Sequence, residues 1–153
     1  MQNPSQIDID RIRSLLINRE FLTAEQKIKS SIKKYPKSYV LLNMLGVVEH
    51  ETGKIGASIK AYKKSISINP NYAFAYNNLG IALKIQGNKD EAIASFKKAT
   101  LIEPDFLDAY NNMAATLSER GAFEEAIALC KKVISIKPDF AEAFNNMGVI
   151  YKE

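Results

Sequence analysis

Apolar and small residues in the middle of the chain recur at helical spacing. Tyr76, Leu79, Gly80 and Leu83 fall at i, i+3, i+4 and i+7, which puts them on one helix face. Ala92, Ile93, Phe96 and Ala99 fall at i, i+1, i+4 and i+7 and mark the buried face of a second helix. Between them stands Gly87-Asn88, a helix stop followed by a residue able to cap the next helix. Glu91, three residues after Asn88, completes the spacing of a capping box. Asp105 with Asp108, and Asp139 with Glu142, repeat that spacing just past Pro104 and Pro138, and acidic groups there suit the positive end of a helix dipole. No segment alternates with period two for long enough to predict a strand. The pattern predicts an all-α chain of short antiparallel helix pairs.

The pairs repeat. Prolines stand at Pro36, Pro70, Pro104 and Pro138, each 34 residues after the last, while Pro4 lies 32 before Pro36 and is off register. Small residues keep the same interval at Gly46, Gly80, Ala114 and Gly148, and again at Ala24, Ser58, Ala92 and Ala126. Gly53, Gly87 and Gly121 form a further column. These columns frame a short tail, 1–4, and one array over 5–153, built of units 5–38, 39–72, 73–106 and 107–140 and a partial or capping helix 141–153. The first unit is divergent: Ile12 stands in the small column and Arg19 in the glycine column, as expected of a capping repeat with one side toward water. Two helices joined by a short turn approach closely only where a side chain is missing. Gly80 and Ala92 are expected to supply that gap, with Tyr76 and Phe96 filling the space around it.

Composition narrows the function. With 153 residues, 46% hydrophobic and 25% charged, the chain can bury the core of one domain. A net charge of +4 is too small to argue for nucleic acid. No apolar run reaches the roughly 20 residues that span a bilayer, and the polar N-terminus MQNPSQIDID lacks the apolar core of a signal peptide. A soluble, cytoplasmic chain without membrane contact is expected. Cys130, the sole cysteine, stands at an apolar core position and reads as a buried thiol. His50, the sole histidine, is expected on the surface with no nucleophile or acid set around it. No glycine-rich phosphate loop or metal-ligand spacing occurs, so neither an enzyme nor a cofactor is expected.

The segment AYNNLGIALKIQGNKDEAIASFKKATLIEP, Ala75 to Pro104, resembles the tetratricopeptide repeat through Tyr76, Leu79, Gly80, Leu83, Ala92, Phe96, Ala99 and Pro104. The fourth unit departs from the pattern at Ala114, Cys130 and Val133, and the second at Leu42, Ser58 and Ser65. The resemblance implies a right-handed superhelical solenoid. First helices would line a concave groove and second helices the convex side, and the role implied is a non-catalytic scaffold for a peptide or partner domain.

Within such a groove the repeated asparagines are the candidate peptide contacts: Asn43, then Asn77-Asn78, Asn111-Asn112 and Asn145-Asn146. Each side-chain amide offers two donors and an acceptor and can pair with the backbone of an extended peptide whatever its side chains. The row Asn78, Asn112, Asn146 is similar to the asparagine ladder in the superhelical repeats of O-linked N-acetylglucosamine transferase. Bracing of neighbouring helices is the competing role. The two-carboxylate clamp of chaperone-binding adaptors fits poorly, because Asp108 or Glu142 would stand where its basic residues belong. Val47, Ile81, Ala115 and Val149 form an apolar column at the groove or between repeats. Lysine pairs at Lys63-Lys64, Lys97-Lys98 and Lys131-Lys132 read as a solvated convex face near helix C-termini. An RNA-binding pentatricopeptide array would need a 35-residue period and different columns. Two further expectations concern context. The chain could be the substrate-recruiting or targeting region of a larger enzyme, such as a glycosyltransferase or sulfotransferase. Phe144, Met147 and Tyr151 on the helix over 141–153 offer an apolar face through which two copies could pair.

Overall fold

The computed structural model describes residues 4–152, so residues 1–3 of the expected tail and residue 153 lie outside the described residues. The helices are α1 (Gln6–Ile17), α2 (Phe21–Lys34), α3 (Tyr39–Glu51), α4 (Ile55–Ile68), α5 (Ala73–Ile85), α6 (Lys89–Ile102), α7 (Leu107–Glu119), α8 (Phe123–Ile136) and α9 (Ala141–Ile150). Among the described residues no strand occurs; the helices lie as α1 and α2 before Pro36, α3 and α4 before Pro70, α5 and α6 before Pro104, and α7 and α8 before Pro138.

The chain packs as two compact units, Met1–Asn78 and Leu79–Glu153. In the first, α2 packs on α1 and on α3, and α3 on α4. Ile9, Ile12, Ala24, Ile28, Leu41, Met44 and Val48 form one apolar cluster there. In the second, α7 packs on α6, α8 and α9 around Phe96, Met113, Leu117, Cys130 and Val133.

The turn inside each pair has one construction. Gly53, Gly87 and Gly121 adopt left-handed φ of 77°, 89° and 82°. The next residue donates its N–H five residues back: Lys54 to Glu49, Asn88 to Leu83 and Ala122 to Leu117, at 2.7, 2.9 and 3.0 Å. This closure satisfies carbonyls left open at the helix end. The first pair turns the same way without glycine. Glu20 donates to the Leu15 carbonyl at 2.8 Å, and Arg19 takes φ 60°, a conformation that costs an L-residue about 1–2 kcal/mol.

The predicted capping boxes do not form. Asn88 precedes α6, but its side chain binds no helix N–H and its Nδ2 donates instead to Gln86 Oε1 at 3.0 Å. Phe106 and Phe140, not Asp105 and Asp139, occupy the cap positions of α7 and α9. The chain enters these helices through backbone-closed turns, with the N–H groups of Ala109 and Ala143 on the carbonyls of Phe106 and Phe140 at 3.1 Å in both. The cap position can then go to a ring, and Phe106 is buried there. Side-chain caps occur earlier, at Ser5 for Asp8 N–H and at Ser38 for Leu41 N–H.

The small column of the first helices faces the aromatic column of the second, with Phe96 filling the space at Gly80 as expected. A Cβ on Gly80 would lie 2.6 Å from Phe96 Cε1, and one on Gly46 would lie 2.5 Å from Tyr62 Cε1. The remaining pairs at these two columns are Ala114 with Cys130 and Ile12 with Ile28, all fully buried. Where the second-helix residue shrinks from a ring to a thiol or an isoleucine, the first-helix residue gains a side chain. The volume of the layer is shared differently but still filled.

Candidate functional site

The asparagines stand on the first helix of each pair. Asn43 and Asn77 are buried, each 7% exposed, while Asn78, Asn111, Asn112 and Asn146 are half-buried and Asn145 is exposed. Inside each unit one amide bridges consecutive first helices. Asn78 Nδ2 on α5 donates to Asn43 Oδ1 on α3 at 3.1 Å. Asn146 Nδ2 on α9 donates to Asn111 Oδ1 on α7 at 2.6 Å and, more weakly, to the Asn111 carbonyl at 3.4 Å. In both cases the second member of one pair donates to the position 35 residues earlier. Asn77 and Asn112 are engaged as well. Asn145 makes no side-chain hydrogen bond among the described residues.

Among their neighbours, Val47, Ile81 and Ala115 are half-buried and Val149 is 56% exposed. Phe144 and Tyr151 on and just after α9 are 50% and 66% exposed, and Met147 is half-buried, so the apolar face expected over 141–153 is open to water. A cluster not foreseen from the sequence joins α3 to the start of α5: the Tyr39 and Tyr72 rings meet edge to face at 4.9 Å, and Tyr72 lies 5.8 Å from Phe74.

Two expectations about charged and titratable groups need correction. His50 is not a surface residue: its side chain is 22% exposed, and Nε2 is buried with no hydrogen-bond partner among the described residues. Its Nδ1 lies 3.4 Å from Glu51 Oε1. The lysine pairs are exposed, but they fall before the last turns of α4, α6 and α8, none of which carries a basic residue. The helix dipole therefore does not explain them. Lys132 is also engaged, donating to Tyr110 Oη at 2.6 Å.

Glu49 is the titratable group that sequence reasoning missed. It lies on α3 with Oε2 buried and unpaired among the described residues. Burial pushes its carboxyl above the ordinary value, aided by the Glu25 charge and opposed by Lys29 and Lys54. Nearby Glu25 is held low, first by its hydrogen bond from Lys29 and then, against the cost of burial, by one from Lys54. Their lengths are 2.6 and 3.3 Å. Cys130 is fully buried, and burial raises its thiol. Among the described residues, no group of His, Cys, Asp and Glu could hold a metal ion, and no helix is long and apolar enough to cross a membrane.

Comparison with known proteins bears on the whole array. A profile described as TPR repeat matches residues 46–87, and one described as tetratricopeptide repeat matches 73–106 and 107–140, the frames already set by the prolines. Together they span 46–140. The crystal structure of MamA is similar at 27% identity with a TM-score of 0.81, over 91% of this chain and 81% of that one. YrrB, described as a TPR protein with an unusual peptide-binding site, is similar at 17% identity and a TM-score of 0.77, over 97% and 77%. The first TPR of Spaghetti (RPAP3), bound to the HSP90 peptide SRMEEVD, is similar at 21% identity and 0.72, over 74% and 90%. The last two likenesses speak to fold alone. No curated protein matches by sequence. Helix pairs at a 34-residue interval, ring-against-glycine packing in the two central pairs and matched profiles over more than half its length agree: this chain belongs to the tetratricopeptide repeat family.

Proposed function

We propose that the chain is a non-catalytic scaffold whose first helices hold an extended polypeptide through its backbone, with the repeated asparagines as the contact groups. Proteins built from these repeats are generally interaction scaffolds, and some, as in the Spaghetti complex, bind peptides. The observation that carries the reading is the amide ladder. Asn78 and Asn146 each give one N–H to the preceding first helix. That bond fixes the amide plane and leaves its acceptor oxygen and second N–H for a partner. An amide oriented in advance loses less freedom on binding than a free one.

The roles then divide by exposure. Asn43 and Asn77, buried, act as bracing acceptors or supports, whereas Asn78, Asn111, Asn112, Asn145 and Asn146 are reachable. The likeness to the asparagine ladder of O-linked N-acetylglucosamine transferase belongs to this reading. The open apolar face of α9 supports a second contact, with another copy of the chain. Light scattering tests it: Phe144→Glu is expected to reduce the apparent mass at high concentration, and a wild-type monomer there rules it out.

The peptide reading is tested by fluorescence anisotropy with a flexible, uncharged labelled peptide. Asn111→Ala/Asn145→Ala is expected to weaken capture about tenfold, or 1.4 kcal/mol, while stability falls by no more than the about 1 kcal/mol of the lost Asn146 bond. A loss of stability with unchanged capture would assign the asparagines to bracing alone.

A further inference from the structure

A pocket of about 480 Å³ opens in the first unit between α2 and α4, over α3. It is distinct from the asparagine row, because second helices form its two sides. Its volume falls in the range of about 300–1,000 Å³ found for ligand sites. Leu42 and Leu45 of α3 and Ala57 and Ala61 of α4 contribute apolar lining, with Ile32 of α2 on the opposite side. Lys29 and Lys33 stand one turn apart on α2, and Lys60 and Lys64 one turn apart on α4. Only Lys29 has a carboxylate partner, Glu25; Lys33, Lys60 and Lys64 are exposed and have none among the described residues. The carboxylate lining the pocket, Glu49, is partly buried with one oxygen unpaired, and that burial opposes its negative charge. An apolar floor thus lies between two cationic edges.

We infer that this pocket is a docking site for an acidic peptide segment that inserts one large apolar side chain between α2 and α4 while its carboxylates meet Lys33, Lys60 and Lys64. Charge complementarity selects the partner's sign: three ammonium groups without carboxylates around one opening attract an anionic segment. The apolar floor selects peptide over nucleic acid, whose phosphates would meet the lysines but whose backbone has nothing to bury against Leu42 and Leu45. The lysine arrangement is particular to this opening. At the positions 34 residues after Lys33 and Lys60 the chain has Ser67 and Ala94, so the next interval along the array lacks two of the four cations.

The test uses the intact chain and a short labelled peptide of Asp and Glu with one central Phe, read by anisotropy at low and at physiological salt. Lys33→Glu/Lys64→Glu is expected to weaken binding at least about tenfold, and Phe→Ala in the peptide by a similar factor. Ala57→Phe, which fills the opening, is expected to abolish binding. Lys97→Glu/Lys131→Glu, at exposed lysines outside the pocket, is expected to leave it unchanged, which separates this site from the general positive charge of the second helices. The exposed lysines can be reversed without touching the core, so that arm reports even if Ala57→Phe disturbs folding. Absence of binding by the wild-type chain overturns the proposal. So does equal affinity for the Phe and Ala peptides, or displacement of the peptide by an equal concentration of oligouridylate.

Discussion

Replacing Gly80 by alanine tests the packing rule on which the array rests. Inside a helix the change ordinarily stabilises by about 0.5–1 kcal/mol, because glycine loses more backbone freedom on folding. Here the new methyl would lie 2.6 Å from Phe96 Cε1 and 2.8 Å from Cδ1 and Cζ. Carbon contacts are optimal at about 3.5–4.0 Å, so the ring must recede by about 1 Å. Phe96 is fully buried and has no solvent to move into. Overpacking of this kind costs about 1–3 kcal/mol, which outweighs the helical gain. The expected net loss is about 1–2 kcal/mol, or roughly 3–6 °C in Tm for a chain of this size.

Gly148 supplies the control, since it occupies the same column in α9 and a Cβ there meets nothing within 4 Å. Gly148→Ala should therefore stabilise by about 0.5–1 kcal/mol. Urea and thermal unfolding of both variants are the assay. A double-mutant cycle with Phe96→Cys, which copies the natural Ala114 and Cys130 pair, should show about 1 kcal/mol or more of favourable coupling. Equal stabilisation by both alanines, or zero coupling, would refute the account.

Other expectations follow from single features. Arg19→Gly should raise stability by up to about 1 kcal/mol in a chemical melt, because it removes left-handed strain at the loss of a 3.8 Å exposed pair with Glu51 and an exposed cation contact 5.8 Å from the Phe21 ring centroid. Glu49 binds its proton more tightly in the folded chain than in the unfolded one. Its contribution to stability therefore falls as pH rises from the ordinary value of 4.5 through the raised folded value, and the penalty is constant above that. Glu49→Gln should accordingly raise Tm at neutral pH, with the advantage shrinking in acid; a constant difference across pH would contradict burial as the cause. Cys130, buried between α7 and α8, should react with a thiol reagent only at the rate at which that pair opens. Its labelling should accelerate with subdenaturing urea, and fast labelling in buffer alone would show that the thiol is accessible.

Sequence alone determined the helix pairs, their turns and their frames, because these depend on residues within about one turn of each other. Glycine at the left-handed position and small residues facing rings leave local marks that 34-residue repetition makes unmistakable. The asparagines were legible as candidates for the same reason. What each amide does was not: Asn78 meets Asn43, and Asn146 meets Asn111, across 35 residues of chain, and only helix stacking selects donor and acceptor. Capping was misread because Asn88, Asp105 and Asp139 have the right local chemistry, while the fold closes those first turns through backbone and, before α7, gives the cap to a buried ring. Glu49 and the lysine-edged pocket had no sequence signal. A glutamate one turn before a glycine stop reads as solvated, and only the packing of α3 with α2 and α4 removes its carboxylate from water.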